Sequence, residues 1–330
     1  MNNPQPLTDR HRRRINYLRI SVTDRCNLRC RYCMPEEGVP SLRHEDVLSY
    51  EEFLRVARVA VRLGIEKIRV TGGEPLVRRG IEAFLARLSA LEGLRDLALT
   101  TNGVLLAERV EALQRAGLRR VNVSLDTLRP DRFEHIARRP GLERVLAGIR
   151  AARDAGLRPV KVNVVAMRGV NEDEILDFAA FARDEGVEVR FIEFMPAGAD
   201  WEEARVVPAR EILEVLSTLG PLVPRANGSH GGPSRVFELP GGGTVGVISP
   251  LSDHFCGSCN RMRITAEGKL RTCLFSRDEI DLRLVLRSGT DDAELARVLR
   301  DAVSAKPPGH GIAAAPDGPR DRPFMHKVGG

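Results

Sequence analysis

Short apolar runs rich in Val and Ile alternate with helical patterns through the first two-thirds of the chain, and that alternation leaves few folds open. The runs fall at residues 16–22, 67–71, 96–100, 120–125, 160–165 and 187–194, with helical periodicity at 50–63, 81–91, 105–116, 142–155 and 172–185. Strand following helix in this order predicts an α/β fold. Its sheet is parallel, joined by right-handed crossovers and either open or curled into a barrel. Gly64, Gly117, Gly156 and Gly186 each stand just past a helical pattern, where a left-handed residue ends a helix. Asn171, before Glu172 and Asp173, reads as a helix N-cap.

In parallel α/β sheets chemistry gathers at the C-terminal ends of the strands. The polar residues stand there: Thr71–Gly72–Gly73–Glu74, Thr100–Thr101–Asn102–Gly103, Ser124–Leu125–Asp126 and Glu193–Phe194–Met195–Pro196. After about residue 219 Pro and Gly punctuate short β-like pieces at 235–238, 244–248, 261–265 and 269–272, and one more helix is expected at 291–302. The organisation predicted is an N-terminal extension (1–15), a main domain (16–219) and a smaller C-terminal region (220–330) packed on it.

Six cysteines in 330 residues lie as two triplets, Cys26, Cys30, Cys33 and Cys256, Cys259, Cys273. No apolar run approaches the roughly 18–20 residues of a membrane span. The arginines at 10 and 12–14 lead into no signal-like apolar stretch, so a reducing cytoplasm is the expected compartment, where disulfides are rare. Structural zinc takes four protein ligands, and each triplet offers three. Three thiolates on an iron–sulfur cube leave one iron open to a small molecule. Zinc stays open as the alternative, with His44 or the other triplet completing the first site and His254 completing the second as Cys₃His. The net charge is +6, and 46 of the 51 Lys and Arg residues are Arg, whose planar forks suit phosphate. Aromatics make up only 5% and no dense basic run follows Arg14, which argues against a nucleic-acid partner.

Cys26-x-x-x-Cys30-x-x-Cys33 with Tyr32 resembles the radical S-adenosylmethionine enzymes. The segments 18–35 (LRISVTDRCNLRCRYCMP), 69–76 (RVTGGEPL), 100–103 (TTNG), 122–126 (NVSLD), 161–165 (KVNVV), 190–195 (RFIEFM) and the final Gly329–Gly330 are similar to the GTP 3′,8-cyclases of molybdenum cofactor biosynthesis. The resemblance implies a partial (β/α)₆ TIM-like barrel closed by the C-terminal region, and two [4Fe–4S] clusters. The first, on Cys26, Cys30 and Cys33, would cleave S-adenosylmethionine. The second, on Cys256, Cys259 and Cys273, would take the guanine of GTP. Tyr32, Gly73, Ser124 and Met195 match S-adenosylmethionine contacts, and Glu74 reads as a brace for its loop. Arg19, Arg69, Thr100, Lys161 and the stretch Arg261, Met262, Arg263 match GTP contacts, with Arg190 and Asn163 lining the cavity. Lys161 lies in a strand that reads as buried, and a triphosphate would supply the anion its ammonium needs.

The implied reaction has a 5′-deoxyadenosyl radical abstract hydrogen from ribose C3′ of GTP. The carbon radical then adds to guanine C8, giving (8S)-3′,8-cyclo-7,8-dihydroguanosine 5′-triphosphate. A reductant such as flavodoxin or ferredoxin and the next enzyme, cyclic pyranopterin monophosphate synthase, are the implied partners. The sequence fixes no oligomeric state, and a homodimer is compatible with it. The alternatives are a radical enzyme acting on a peptide and a zinc or iron–sulfur protein without substrate chemistry. The Gly329–Gly330 tail is expected to enter the active site. His135, His230, His310 and His326 show no metal spacing and read as surface or loop residues, Asp291–Asp292 as a helix start, and the glycines from 241 as a turn.

Overall fold

The computed structural model describes residues 6–197, 201–226, 232–276, 278–311 and 325. The six expected strands form as β1 (Tyr17–Ser21), β2 (Lys67–Thr71), β3 (Asp96–Thr101), β4 (Arg120–Ser124), β5 (Lys161–Ala166) and β6 (Glu188–Glu193). They lie side by side in chain order, all parallel. Alternation explains the wall. Leu18, Ile20, Ile68, Val70, Leu99, Val121, Val123, Val162, Val189 and Phe191 belong to the apolar core. The intervening Arg19, Arg69, Thr100, Asn122, Asn163 and Arg190 line a cavity on the other face.

The helices are α1 (Tyr50–Arg62), α2 (Ile81–Ser89), α3 (Leu106–Arg115), α4 (Pro130–Ala137), α5 (Leu142–Asp154), α6 (Ile175–Asp184), α7 (Ala209–Ser217), α8 (Leu282–Arg287) and α9 (Asp292–Ser304). Ser49 and Glu52 close a capping box on α1, and Asp291 caps α9 as expected. Gly64, Gly117, Gly156 and Gly186 all take positive φ, between 64° and 97°. Asn171 departs from its expected role. It holds the N-cap position, but its side chain does not cap; buried, it accepts from Met167 N and donates to the Asp126 and Val165 carbonyls, tying the ends of β4 and β5 together.

The C-terminal region differs from a small body packed on the barrel. Its strands are β7 (Val223–Arg225), β8 (Arg235–Glu238), β9 (Thr244–Ile248), β10 (Arg261–Ile264), β11 (Lys269–Arg271) and β12 (Ile280–Asp281). β9 runs parallel beside β6, and β10 parallel beside β1, so these strands extend both edges of one sheet ordered β12-β11-β10-β1-β2-β3-β4-β5-β6-β9-β8-β7. The glycines from 241 make the β8–β9 turn. The N-terminal segment packs on the barrel, with Leu7 and Ile15 buried in the main core. Among the described residues no helix is long and apolar enough to cross a membrane.

Candidate functional site

All six cysteine side chains border one cavity at the C-terminal ends of the strands. The first triplet sits on the loop after β1. Cys26 Sγ accepts from Leu28 N at 3.4 Å and from Asn102 Nδ2 at 3.7 Å. Burial pushes the Cys26 thiol up to about 11 and that of Cys30 well above its ordinary value. Arg29 N and Arg31 N donate to the Ala137 and Ile136 carbonyls, and Arg31 Nε to that of His135, so the loop satisfies the open end of α4. Sequence periodicity missed α4, a short helix begun at Pro130.

The Gly72–Gly73 turn lies against this loop. Gly73 N donates to Thr23 O at 2.7 Å and Glu74 N to Arg25 O at 2.8 Å. A Cβ on Gly73 would stand 2.4 Å from Arg25 O, so only glycine permits the approach. Glu74 is fully buried and its carboxylate accepts from Leu76 N, Thr101 Oγ1 and Asn102 N. Burial outweighs these bonds and raises it to about 7. It braces the loop, as expected. Tyr32, Ser124 and Met195 also line the cavity.

The cavity floor is cationic. Arg19 pairs in register with Arg69 on one side and Arg263 on the other, and Arg190 faces the same space. Burial, with Arg19 and Arg261 alongside, draws Arg263 down to about 9. Tyr17, unanticipated from sequence, lines the same floor, with Lys67 Nζ 4.5 Å and Arg69 Cζ 5.7 Å from its ring centroid. Burial would raise its phenol, yet Arg69, Arg19 and Lys67 bring it to about 7. Buried atoms with no hydrogen-bond partner collect on these walls: Arg69 Nε, Thr100 Oγ1, Asn122 Nδ2, Asn163 Oδ1 and Arg190 Nη2. Such groups are costly unless a ligand completes them.

Two residues expected at the substrate do not reach the cavity. Lys161 already has its anion, since Nζ lies 2.8 Å from Glu188 Oε2, and Glu188 Oε1 bonds Arg190 Nε. Lys67 and Arg120 similarly share Asp96, closing the barrel below the floor. Met262 is 1% exposed and belongs to the apolar core, because in β10 only Arg261 and Arg263 face the cavity.

The second triplet lies across the cavity, with Cys256 and Cys259 before β10 and Cys273 after β11. Burial opposes ionisation of Cys259, but Arg261 and Lys306 bring its thiol to about 6. Arg261 Cζ rests 4.8 Å from the centroid of Phe255. His254 borders the cavity, and so does His310, a half-buried residue of the expected loop; their rings stand edge to face at 5.3 Å. No group of three or more His, Cys, Asp or Glu among the described residues is arranged to hold a single metal ion. His135 is exposed; His230, His326 and the Gly329–Gly330 tail lie outside the described residues.

Residues 20–182 match the radical SAM superfamily, and residues 187–312 match the family described as Molybdenum Cofactor Synthesis C. A GTP 3′,8-cyclase of Pelotomaculum thermopropionicum is 50% identical over 98% of this chain and 100% of its own. One of Geobacter sulfurreducens is 54% identical over 93% of this chain and 95% of its own.

The chain belongs to the GTP 3′,8-cyclase family. Its fold is shared with Streptococcus suis SuiB bound to S-adenosylmethionine, at TM-score 0.59 and 15% identity over 87% of this chain and 68% of that one. The family's radical SAM portion therefore spans β1 to α6, and its C-terminal portion supplies both added edges of the sheet.

Proposed function

We propose that the chain is a radical SAM GTP 3′,8-cyclase in which the two cysteine triplets serve opposite ends of one reaction. The observation that carries this is the convergence of all six cysteines on one cavity with an arginine floor. The residues suit the groups the family uses: each triplet offers three thiols, and the unpartnered polar atoms await a polar ligand. Cys26, Cys30 and Cys33 would hold one [4Fe–4S] cluster and Cys256, Cys259 and Cys273 a second, each with one iron left for a small molecule. When bound, the first cluster and S-adenosylmethionine supply the radical chemistry that removes hydrogen from ribose C3′ and joins that carbon to guanine C8.

The protein's part is placement. Gly73 and Ser124 present polar groups to S-adenosylmethionine, with Tyr32 and Met195 shaping its pocket. Arg19, Arg69, Arg261 and Arg263, with Thr100, grip the triphosphate, where bidentate forks suit phosphate oxygens. Arg190 and Asn163 line the space between. Lys161 acts one step removed, through Glu188 on Arg190. Leu28, Val165, Ile192, Ile248 and Phe275 give the cavity apolar walls that exclude water. The reading also requires a one-electron donor such as a flavodoxin or ferredoxin. That donor gives one electron to cleave S-adenosylmethionine and a second, with a proton, to quench the radical left on the nucleotide after C3′ joins C8. The product passes to cyclic pyranopterin monophosphate synthase. A peptide substrate has only the fold in its favour, shared with Streptococcus suis SuiB, a protein also solved bound to the precursor peptide SuiA.

The test is an anaerobic incubation of cluster-loaded protein with GTP, S-adenosylmethionine and reductant. The expected products are 5′-deoxyadenosine and the 3′,8-cyclised nucleotide in equal amounts. Absence of 5′-deoxyadenosine overturns the reading.

A further inference from the structure

The segment before β1 is folded around a buried arginine that reaches the second cysteine triplet. Leu7 O accepts from Ile15 N at 2.8 Å, Thr8 bridges Arg14, and Asp9 Oδ1 accepts from His11 N and Arg13 N, forming a tight hairpin. Asp9 Oδ2 holds Arg13 Nε at 2.6 Å, and the two side chains are 0% and 6% exposed. The far end of the guanidinium is spent on carbonyls. Nη1 donates to Cys256 O at 2.8 Å and to Pro308 O at 3.0 Å, and Nη2 to Pro307 O at 2.6 Å.

Lys306 stands beside it, 3% exposed. Its ammonium donates to Arg261 O at 2.9 Å and to Thr272 O, the residue before Cys273. Among the described residues no carboxylate pairs with it. A buried ammonium satisfied only by carbonyls keeps an unbalanced charge, which is costly unless an anion lies close. The carbonyls it holds lie two residues after Cys259 and one before Cys273, whose sulfurs would be thiolates as cluster ligands. Arg13 and Lys306 thus touch, between them, all three chain segments that carry the second triplet.

We propose that Arg13 and Lys306 form a two-cation clamp that positions the second cysteine triplet and sets its charge, making the N-terminal hairpin part of the substrate-side site. This rests on reading that triplet as the ligand set of an iron–sulfur cluster. Arg13 fixes the Cys256 turn relative to residues 307–308, while Lys306 ties the strand after Cys259 to the one entering Cys273. A cluster on three thiolates is anionic when reduced, so a buried cation beside it favours the reduced form and raises its potential.

The clamp is tested in full-length protein with Cys26, Cys30 and Cys33 all changed to Ala, which leaves only the second triplet. Iron content and the midpoint potential of the remaining cluster are read for this parent and for Lys306→Met and Lys306→Arg on it. With iron retained, Lys306→Met should lower the potential and Lys306→Arg restore it; an unchanged potential overturns the proposal. Should Lys306→Met lose its iron, the same change is read with all six cysteines present. Intact S-adenosylmethionine binding there, with iron regained in Lys306→Arg, supports the clamp, and loss of S-adenosylmethionine binding overturns it. Arg13→Gln in the six-cysteine protein should weaken GTP binding about tenfold or more and leave S-adenosylmethionine binding as it was. Equal loss of both, or of neither, contradicts the clamp. A parent holding zinc or no iron removes the underlying reading as well, an outcome separate from an unresponsive cluster.

Discussion

The Tyr32 hydroxyl, carried between Cys30 and Cys33, donates a 2.6 Å hydrogen bond to Asp126 Oδ2 just beyond β4. The other oxygen of Asp126 accepts from Val165 N at 2.8 Å, and its carbonyl accepts from Asn171 Nδ2. The first cysteine loop is therefore pinned to the ends of β4 and β5 through one buried carboxylate. Tyr32→Phe removes a charge-assisted bond and leaves that oxygen short of a donor, a cost of about 1–3 kcal/mol. Thermal unfolding should show the loss, and S-adenosylmethionine binding should weaken with it. Unaltered values for both would detach the pin from the site.

Gly73→Ala tests the close approach of the Gly-Gly turn. A Cβ only 2.4 Å from Arg25 O forces the turn or the cysteine loop to move. Iron at the first triplet should fall while the second triplet keeps its share, read by iron analysis and electron paramagnetic resonance. Full iron at both triplets contradicts the packing argument.

Lys161 and Arg69 should separate cleanly. Lys161→Met leaves the buried Glu188 carboxylate with Arg190 as its remaining cation and one oxygen short of a donor, a cost of about 1–3 kcal/mol seen in thermal unfolding. Arg69→Met removes a cation whose Nε has no partner, so GTP affinity should drop with a smaller change in stability. The reverse pattern would return Lys161 to the phosphate.

Tyr17 gives the pH signature of the cationic floor. Its phenol lies at about 7 against an ordinary 10, drawn down by Arg69, Arg19 and Lys67 against the effect of burial. A depressed acid contributes stability that is complete above the ordinary value and is lost as pH falls through the folded one, here through about 7. The near-ultraviolet tyrosinate band should develop with a midpoint near 7 and vanish in Tyr17→Phe. Inorganic triphosphate should move the midpoint upward, because it competes for the same cations. A midpoint near 10 contradicts this picture of the floor.

The barrel was legible because its strands alternate apolar and polar residues and its helices end in left-handed glycines such as Gly64 and Gly186. The cysteine triplets were legible because six cysteines fall in two close-spaced sets of three, one short of a closed four-ligand site. What stayed hidden depends on partners far away in sequence. Arg13 and Lys306 look like surface charges until the fold sets them on the carbonyls around the second triplet. Lys161 looked in need of a phosphate because nothing local announces Glu188. Met262 could have been excluded from sequence, since period-two alternation in β10 sends it opposite to Arg261 and Arg263. The short segment holding α4 offers too little periodicity to register, with only Phe133, Ile136 and Ala137 buried.

The central claim is that each triplet holds its own four-iron cluster on the same cavity. Iron and sulfide counted in anaerobically reconstituted protein test it most directly. The account predicts about eight irons per chain, falling to about four when either triplet is changed to Ala. About four irons in the unaltered protein, or zinc at the second triplet, would contradict it.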